Sequence, residues 1–447
     1  MFTTITNIEA TIGSGPTATS GVRAELLRRS NLRALVRELH LAGPRTRSQL
    51  GASTGLARSA IASLVGELVD LDLAIEQAAQ TNGSPGRPSP VVSADARANV
   101  VLAMEVAGDS LAVAAIGLGG EVLAMTREPN RPAHRSAHRS AHRPASPRGR
   151  LDVEYVVGRL GTIAEAMLES LSRFRRPRSA NDARGVVGAG LTGVGVAVAG
   201  VVDRQTSRVV FAPNLGWHDV PLDEMMRDRL ALGAAMPVLV ANEADLGTLA
   251  EARRGAARGI DDVLYLSGEV GVGGGLLVGG RALVGTSGFG GEVGHMVVDP
   301  TGARCHCGST GCWETEIGEV AVLRRAGRRR RAGVDSIGQL IAAADSGDVA
   351  ARAAAEATGH WLGLGIGNLI NILNPRMVVL GGLFGRLHPH LRGAMMAELA
   401  RRSLAPIRGD VTVVASQLGE QAALIGAAEL AFDQVLDDPL AVGRLRR

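Results

Sequence analysis

The chain has 447 residues, more than one ordinary domain needs, and its 46% of apolar residues can fill two or three cores. Aromatic residues make up only 2%, so those cores consist of Leu, Val, Ile and Ala, and every one of the 48 basic residues is arginine. The net charge of +4 is modest, no charged start leads into an apolar leader, and the apolar run 185–202 is broken by glycines, so neither secretion nor a membrane span is expected.

Residues 1–20 are rich in Thr, Gly and Ser and read as a disordered tail. Residues 21–93 read as a small domain. Leu32, Leu35, Val36 and Leu39 repeat at helical spacing. Thr46 and Gln49 form a capping box that opens a second helix, and Gly55 ends it. Ile61, Leu64, Val65 and Leu68 mark the buried face of a third helix. Three short helices with a glycine before the third predict a helix-turn-helix. Two strand-like ends around the Gly- and Pro-rich segment 81–88 add a wing.

Eight arginines against two glutamates between residues 21 and 60 point to an anionic partner, DNA. Arg58, Ser59 and Ser63 face away from the apolar stripe, where they can read a major groove. Arg87, at the tip of the wing, suits a minor groove. The plainer reading is a three-helix bundle with a solvated basic face. The basic excess, the wing and the helix spacing together favour DNA.

Beyond residue 93 the composition turns apolar and glycine-rich. The segments 100–106, 110–116 and 122–125 predict a strand meander. The stretch 129–150 holds a tandem His-Arg-Ser-Ala repeat among prolines and reads as a disordered surface insert. A helix is predicted over 151–174, more sheet over 186–202, a helix over 366–373, a strand over 377–380 and a last helix over 420–436.

All three cysteines, Cys305, Cys307 and Cys312, fall within eight residues, and His295 lies ten positions ahead of the first. Three thiolates and one imidazole suit a closed tetrahedral Zn²⁺ site, and Gly308 and Gly311 let the chain wrap tightly. Metal-type cysteine spacing also fits a reducing cytoplasm.

These residues carry a resemblance. Gly291-Glu292-Val293-Gly294-His295, followed by Cys305-His306-Cys307-Gly308-Ser309-Thr310-Gly311-Cys312-Trp313-Glu314, resembles the signature of the ROK family of sugar kinases and sugar-responsive repressors. Residues 25–93 are similar to the winged helix of its repressors, with Gly86-Arg87-Pro88 matching the end of the wing. Ala57 departs from the serine usual at the start of the recognition helix and forfeits a cap of roughly 1 kcal/mol.

The resemblance implies an α/β architecture, a winged helix-turn-helix joined to a two-lobed actin-like, ribonuclease-H-like fold with a zinc knuckle. The lobes are expected at 94–236 and 237–416, with the final helix, 417–436, returning to the first. The resemblance also implies that Asn242, Glu243, Glu292, His295 and Glu314 contact a sugar. In the family's kinases an Asn-Asp pair binds sugar and supplies the base. Here Asn242 stays, but Glu243 puts its carboxylate one methylene further out. The kinases' Asp-x-Gly-Gly-Thr phosphate turn corresponds to Glu105-Val106-Ala107-Gly108-Asp109, where Asp109 repels a triphosphate. The glycine loop 268–275 is retained.

The expected function is a sugar-responsive, DNA-binding transcriptional regulator, a repressor with a sensor that no longer phosphorylates. The alternative is an active ATP-dependent sugar kinase with an N-terminal extension. Expected partners are operator DNA, a small sugar effector, structural zinc and a second copy in a homodimer or homotetramer. A nucleoid-associated cytoplasmic location follows.

Overall fold

A computed structural model describes residues 16–77, 90–130, 151–172, 190–286, 288–331 and 334–442. Arg87, most of the wing segment, the His-Arg-Ser-Ala repeat and residues 1–15 lie outside the described residues. The chain divides into two compact units, residues 1–94 with 434–442 and residues 95–433 with 443–447.

The first unit contains α1 (Pro16–Ala42), β1 (Arg45–Thr46), α2 (Arg47–Thr54), α3 (Arg58–Asp70), β2 (Ala74–Gln77) and β3 (Val91–Ala94). Helix α1 starts at Pro16, inside the segment expected to be a disordered tail. Leu32, Leu35, Val36 and Leu39 of α1 are buried, as are Ile61, Leu64, Val65 and Leu68 of α3. The capping box at Thr46 is formed: Gln49 N–H donates to Thr46 Oγ1 at 3.3 Å and Thr46 N–H donates to Gln49 Oε1 at 2.8 Å. Gly55 closes α2 in the left-handed region, at φ 72°. Ala57 caps α3 with no side-chain hydrogen bond. Strand β3 pairs antiparallel with both β1 and β2, giving a three-stranded sheet.

The local charge differs from the expectation. Arg28 and Arg29 pair with Glu25, Arg28 also with Glu67, Arg37 with Asp437, Arg45 with Glu38 and Arg47 with Glu76. Glu25 and Glu38 belong to that count; Glu67, Asp437 and Glu76 come from outside it and neutralise half of the counted basic excess inside the unit. Arg58 makes no ion pair with another described residue.

The second unit holds two sheets of one topology. The first uses β4 (Val100–Val106), β5 (Ser110–Gly117), β6 (Val122–Pro129), β7 (Leu191–Val198) and β11 (Val238–Asn242), in the order β11-β7-β4-β5-β6. Between β6 and β7 comes α4 (Val153–Ser172). Between β7 and β11 come β8 (Val201–Asp203), β9 (Arg208–Ala212) and β10 (Trp217–Val220), which form a small antiparallel sheet, and α5 (Leu222–Arg229).

Helix α6 (Glu243–Arg254) leads to the second sheet: β12 (Val263–Gly268), β13 (Val272–Val278), β14 (Arg281–Ala282), β15 (Met377–Gly381) and β16 (Thr412–Ala415), in the order β14-β13-β12-β15-β16. In each sheet an antiparallel meander is extended by parallel strands on its first member. This repeated pattern is the two-lobed architecture expected. The helices α7 (Glu314–Ile317), α8 (Glu319–Arg325), α9 (Ser336–Asp345), α10 (Val349–Leu373), α11 (Gly382–Arg402), α12 (Ala405–Arg408) and α13 (Ala422–Asp437) complete it.

The lobe boundary moves. Strand β11, expected at the start of the second lobe, pairs in parallel with β7 of the first sheet, so the crossing comes after Asn242. Helix α13 packs on the first sheet so closely that a Cβ on Gly195 would sit 2.0 Å from the Ala427 carbonyl oxygen. Separate cores lie under the two sheets, one around Leu102, Val113 and Trp217, the other around Leu266, Trp313 and Phe384. No helix among the described residues is long and apolar enough to cross a membrane.

Candidate functional site

Strand β11 ends at Asn242, which caps α6: its Oδ1 accepts from the N–H groups of Ala244 at 2.7 Å and Asp245 at 3.3 Å. Its Nδ2 donates to the Gly200 carbonyl at 2.8 Å. Asn242 therefore anchors the edge of a cavity that Glu243, Asp245, Glu292, His295 and Asn214 also line. Burial, reinforced by the charges of Glu105 and Asp109, pushes the Glu243 carboxyl up to about 8. Burial also raises Asp245, against the pull of Arg204, and Glu292, against the pull of His295. Near neutral pH the Glu243 carboxyl donates as well as accepts, which suits sugar hydroxyls, themselves donors and acceptors.

His295 stands at the end of a short turn, Val293–His295, between this cavity and the cysteines. Its Nδ1 lies 3.7 Å from Cys305 Sγ, and its Nε2 lies 3.8 Å from Glu292 Oε2. Cys307 and Cys312 have their sulfurs 3.6 Å apart. The four candidate ligand atoms all lie within 4.8 Å of one another. With Zn–S near 2.3 Å, the edge of a tetrahedral site is about 3.7 Å, so both short separations fit the ion. The donor set, three sulfurs and one imidazole, is the one zinc prefers. His295, Cys305, Cys307 and Cys312 would hold the metal, which would act structurally.

The fold fixes the knuckle from both sides. Gly311 has φ 75°, and a Cβ there would sit 1.6 Å from the Asp299 carbonyl oxygen. Trp313 is fully buried, donates from Nε1 to the Trp361 carbonyl at 2.8 Å, and fills the space that a side chain on Gly365 of α10 would take. Cys305 donates to Glu314 Oε1 at 2.8 Å, and Glu314 Oε2 is 3.0 Å from where a Cβ on Gly271 would be. Of the five expected sugar contacts, four share the cavity wall; Glu314 stands behind it, against the knuckle. Asp245 and Asn214, which also line the cavity, are not among the residues expected from the sequence.

The adjoining cleft lies where the resemblance puts phosphate. Arg127 grips Glu105 with two hydrogen bonds, of 3.2 and 3.0 Å. Arg330 bridges Asp109 at 3.0 Å and Glu319 at 2.6 Å. Burial, then the charges of Glu243 and Glu105, holds the Glu269 carboxyl well above its ordinary range. The sequence showed the carboxylates at 105 and 109 but not the arginines that occupy them. In the first unit Arg58, Ser59 and Ser63 lie exposed on the N-terminal half of α3.

The sequence model of the ROK family matches residues 161–434. The chain is similar to the xylose repressor of Bacillus spizizenii, 26% identical over 413 residues, covering 92% of this chain and 97% of that one. It is 32% identical over 248 residues to the xylose repressor of Bacillus subtilis, covering 56% of this chain and 63% of that one. Among solved structures, a ROK family transcriptional regulator homologous to the Mlc protein of E. coli superposes with a TM-score of 0.69 at 26% identity, covering 94% of this chain and 99% of that one. A ROK family glucokinase from Streptomyces griseus, solved with glucose and AMPPNP, superposes with a TM-score of 0.57 at 26% identity, covering 74% and 99%.

Proposed function

The chain belongs to the ROK family, and on that premise we propose that it is a sugar-responsive, DNA-binding transcriptional repressor whose sensor does not phosphorylate its ligand. The observation that carries this reading is the contrast inside the second unit. A cavity lined by Asn242, Glu243, Glu292 and His295 has the chemistry for sugar hydroxyls. The cleft beside it, where a kinase takes its triphosphate, is lined by the Arg127–Glu105 and Arg330–Asp109 ion pairs. A phosphate chain entering there meets carboxylates and displaces arginines already paired.

The relatives that span nearly the whole chain are repressors or regulators, and the helical first unit supplies the DNA reader. Zinc held by His295 and the three cysteines keeps the cavity wall in place, because His295 belongs to both. The protein acts in the cytoplasm, on the nucleoid, as a two-fold oligomer that matches a palindromic operator. The second reading, an ATP-dependent sugar kinase, draws on the likeness to the glucokinase and on the retained glycine loop 268–275.

Arg58 gives the direct test of the DNA reader. Arg58→Ala is expected to weaken binding to DNA fragments selected by the wild-type protein by about 1–3 kcal/mol and to relax the preference at one base pair. Fluorescence anisotropy titration measures it. Equal affinity of the variant for the selected DNA removes Arg58 from the reading surface.

A further inference from the structure

The cavity that we read as the sugar site has a charge pattern that bears on which sugars it takes, and the inference rests on that reading. Among the described residues lining it, Glu243, Asp245, Glu269 and Glu292 are carboxylic acids and none is an arginine. The arginine nearest to one of them, Arg204, is committed: its Nη2 donates to Asp245 Oδ2 at 2.8 Å. Asp245 Oδ1 has no hydrogen-bond partner among the described residues. The Asp245 side chain is 10% exposed, so Arg204 holds it in one position while one oxygen remains available.

A sugar hydroxyl satisfies a free carboxylate oxygen without adding charge. A phosphate or a second carboxylate placed there faces like charge, with no cation to receive it, and like-charge juxtaposition is among the strongest penalties a site imposes. A hydroxyl also leaves the Arg204–Asp245 pair intact, whereas an anion must break it to find a counter-charge.

We propose that Asp245, positioned by Arg204, is a specificity-determining residue of this cavity, one that accepts from a sugar hydroxyl and restricts the ligand to uncharged sugars, excluding their phosphorylated and acidic forms. Glu292 reinforces the exclusion from the neighbouring wall. The class of reaction that removes this ligand from the cell's pool is therefore phosphorylation or oxidation to an acid, since either product no longer fits.

Calorimetric titration of the full-length protein tests this, with neutral aldopentoses and aldohexoses, their terminal phosphates and the corresponding uronic acids as probes. At least one neutral sugar is expected to bind about a hundredfold more tightly than its own phosphate or uronate. Asp245→Asn should weaken the neutral sugar by about tenfold and narrow its advantage over the anions, because Arg204 is released. Arg204→Gln should widen that advantage, because a positive charge is gone. The opposite directions keep the test informative if one variant fails to fold. A phosphate or uronate that binds as tightly as its neutral parent overturns the inference while leaving the sugar site standing. So does an unchanged ratio in the folded variants. If no probe of any class binds, the sugar-site reading fails and this inference fails with it.

Discussion

Purified protein is expected to carry about one zinc per chain, and Cys312→Ser to lose it together with the response to sugar. Cys312 is fully buried beside Trp313, whose ring fills a space that only glycine at position 365 leaves open. Besides this ring the knuckle packs Met296 and Val298 on the core, both only partly buried, so the metal must supply much of the energy that closes residues 295–312. Structural zinc sites in small peptides contribute on the order of 10 kcal/mol. Losing even a third of that lowers the melting temperature of a unit this size by roughly 5 °C. Because His295 faces Glu292 across the cavity wall with Nε2, loosening the knuckle also displaces the sugar contacts. Elemental analysis and thermal melts with a sugar panel measure both effects. A metal-free protein that melts at the same temperature and still shifts with sugar refutes the zinc account.

Sugar-dependent ATP turnover is expected to fall at least about a thousandfold below the 1–100 per second usual for kinases. Two independent obstacles combine. The candidate base, Glu243, is mostly protonated at neutral pH, with its carboxyl raised to about 8, and a base must be ionised to take a proton. Its longer side chain also misplaces the carboxylate by about 1 Å, a displacement that costs on the order of a hundredfold. The carboxylates and already paired arginines that line the cleft weaken phosphate binding further. The sign with pH follows: any residual turnover should rise as pH passes through about 8, where Glu243 ionises. The same shift makes the folded state bind the proton more tightly than the unfolded chain. Its stabilising contribution is therefore full below the ordinary carboxylate range and is lost as pH rises through about 8. Coupled-enzyme assays of ADP release with neutral hexoses and pentoses are the measurement. Turnover near 1 per second at pH 7 means that the chain is a kinase.

What could be read from the residues alone follows physical range. The capping box at Thr46, the glycine stop at Gly55 and the apolar stripes of α1 and α3 are local, and the structure contains each of them. The knuckle is equally legible, because its cysteines are contiguous and glycines allow the turn. Pairing across the chain is where sequence reasoning stopped. Nothing in residues 238–242 says which sheet they join, so β11 was assigned to the wrong lobe. Counting arginines overstated the basic surface of the first unit, since Glu67 and Asp437 are distant in sequence from the residues they neutralise. Arg127 and Arg330 gave no signal at all, although they explain what the substitutions at Glu105 and Asp109 do. Nothing in the sequence ties Asp245 to its partner, Arg204, 41 positions away.

The central claim is that a sugar held by the second unit changes how the first unit binds DNA. Such coupling is typically worth 1–3 kcal/mol, about 5- to 150-fold in affinity. Glu292 is the residue to perturb, since it lines the cavity without being a zinc ligand or part of the DNA reader. The decisive measurement is affinity for the selected operator, by fluorescence anisotropy, with and without a saturating amount of the neutral sugar that binds best, for wild type and Glu292→Gln. The account predicts that sugar weakens wild-type binding at least fivefold, while Glu292→Gln binds the operator as tightly as wild type and does not respond. Unchanged wild-type affinity at saturating sugar, or a normal response from Glu292→Gln, contradicts it.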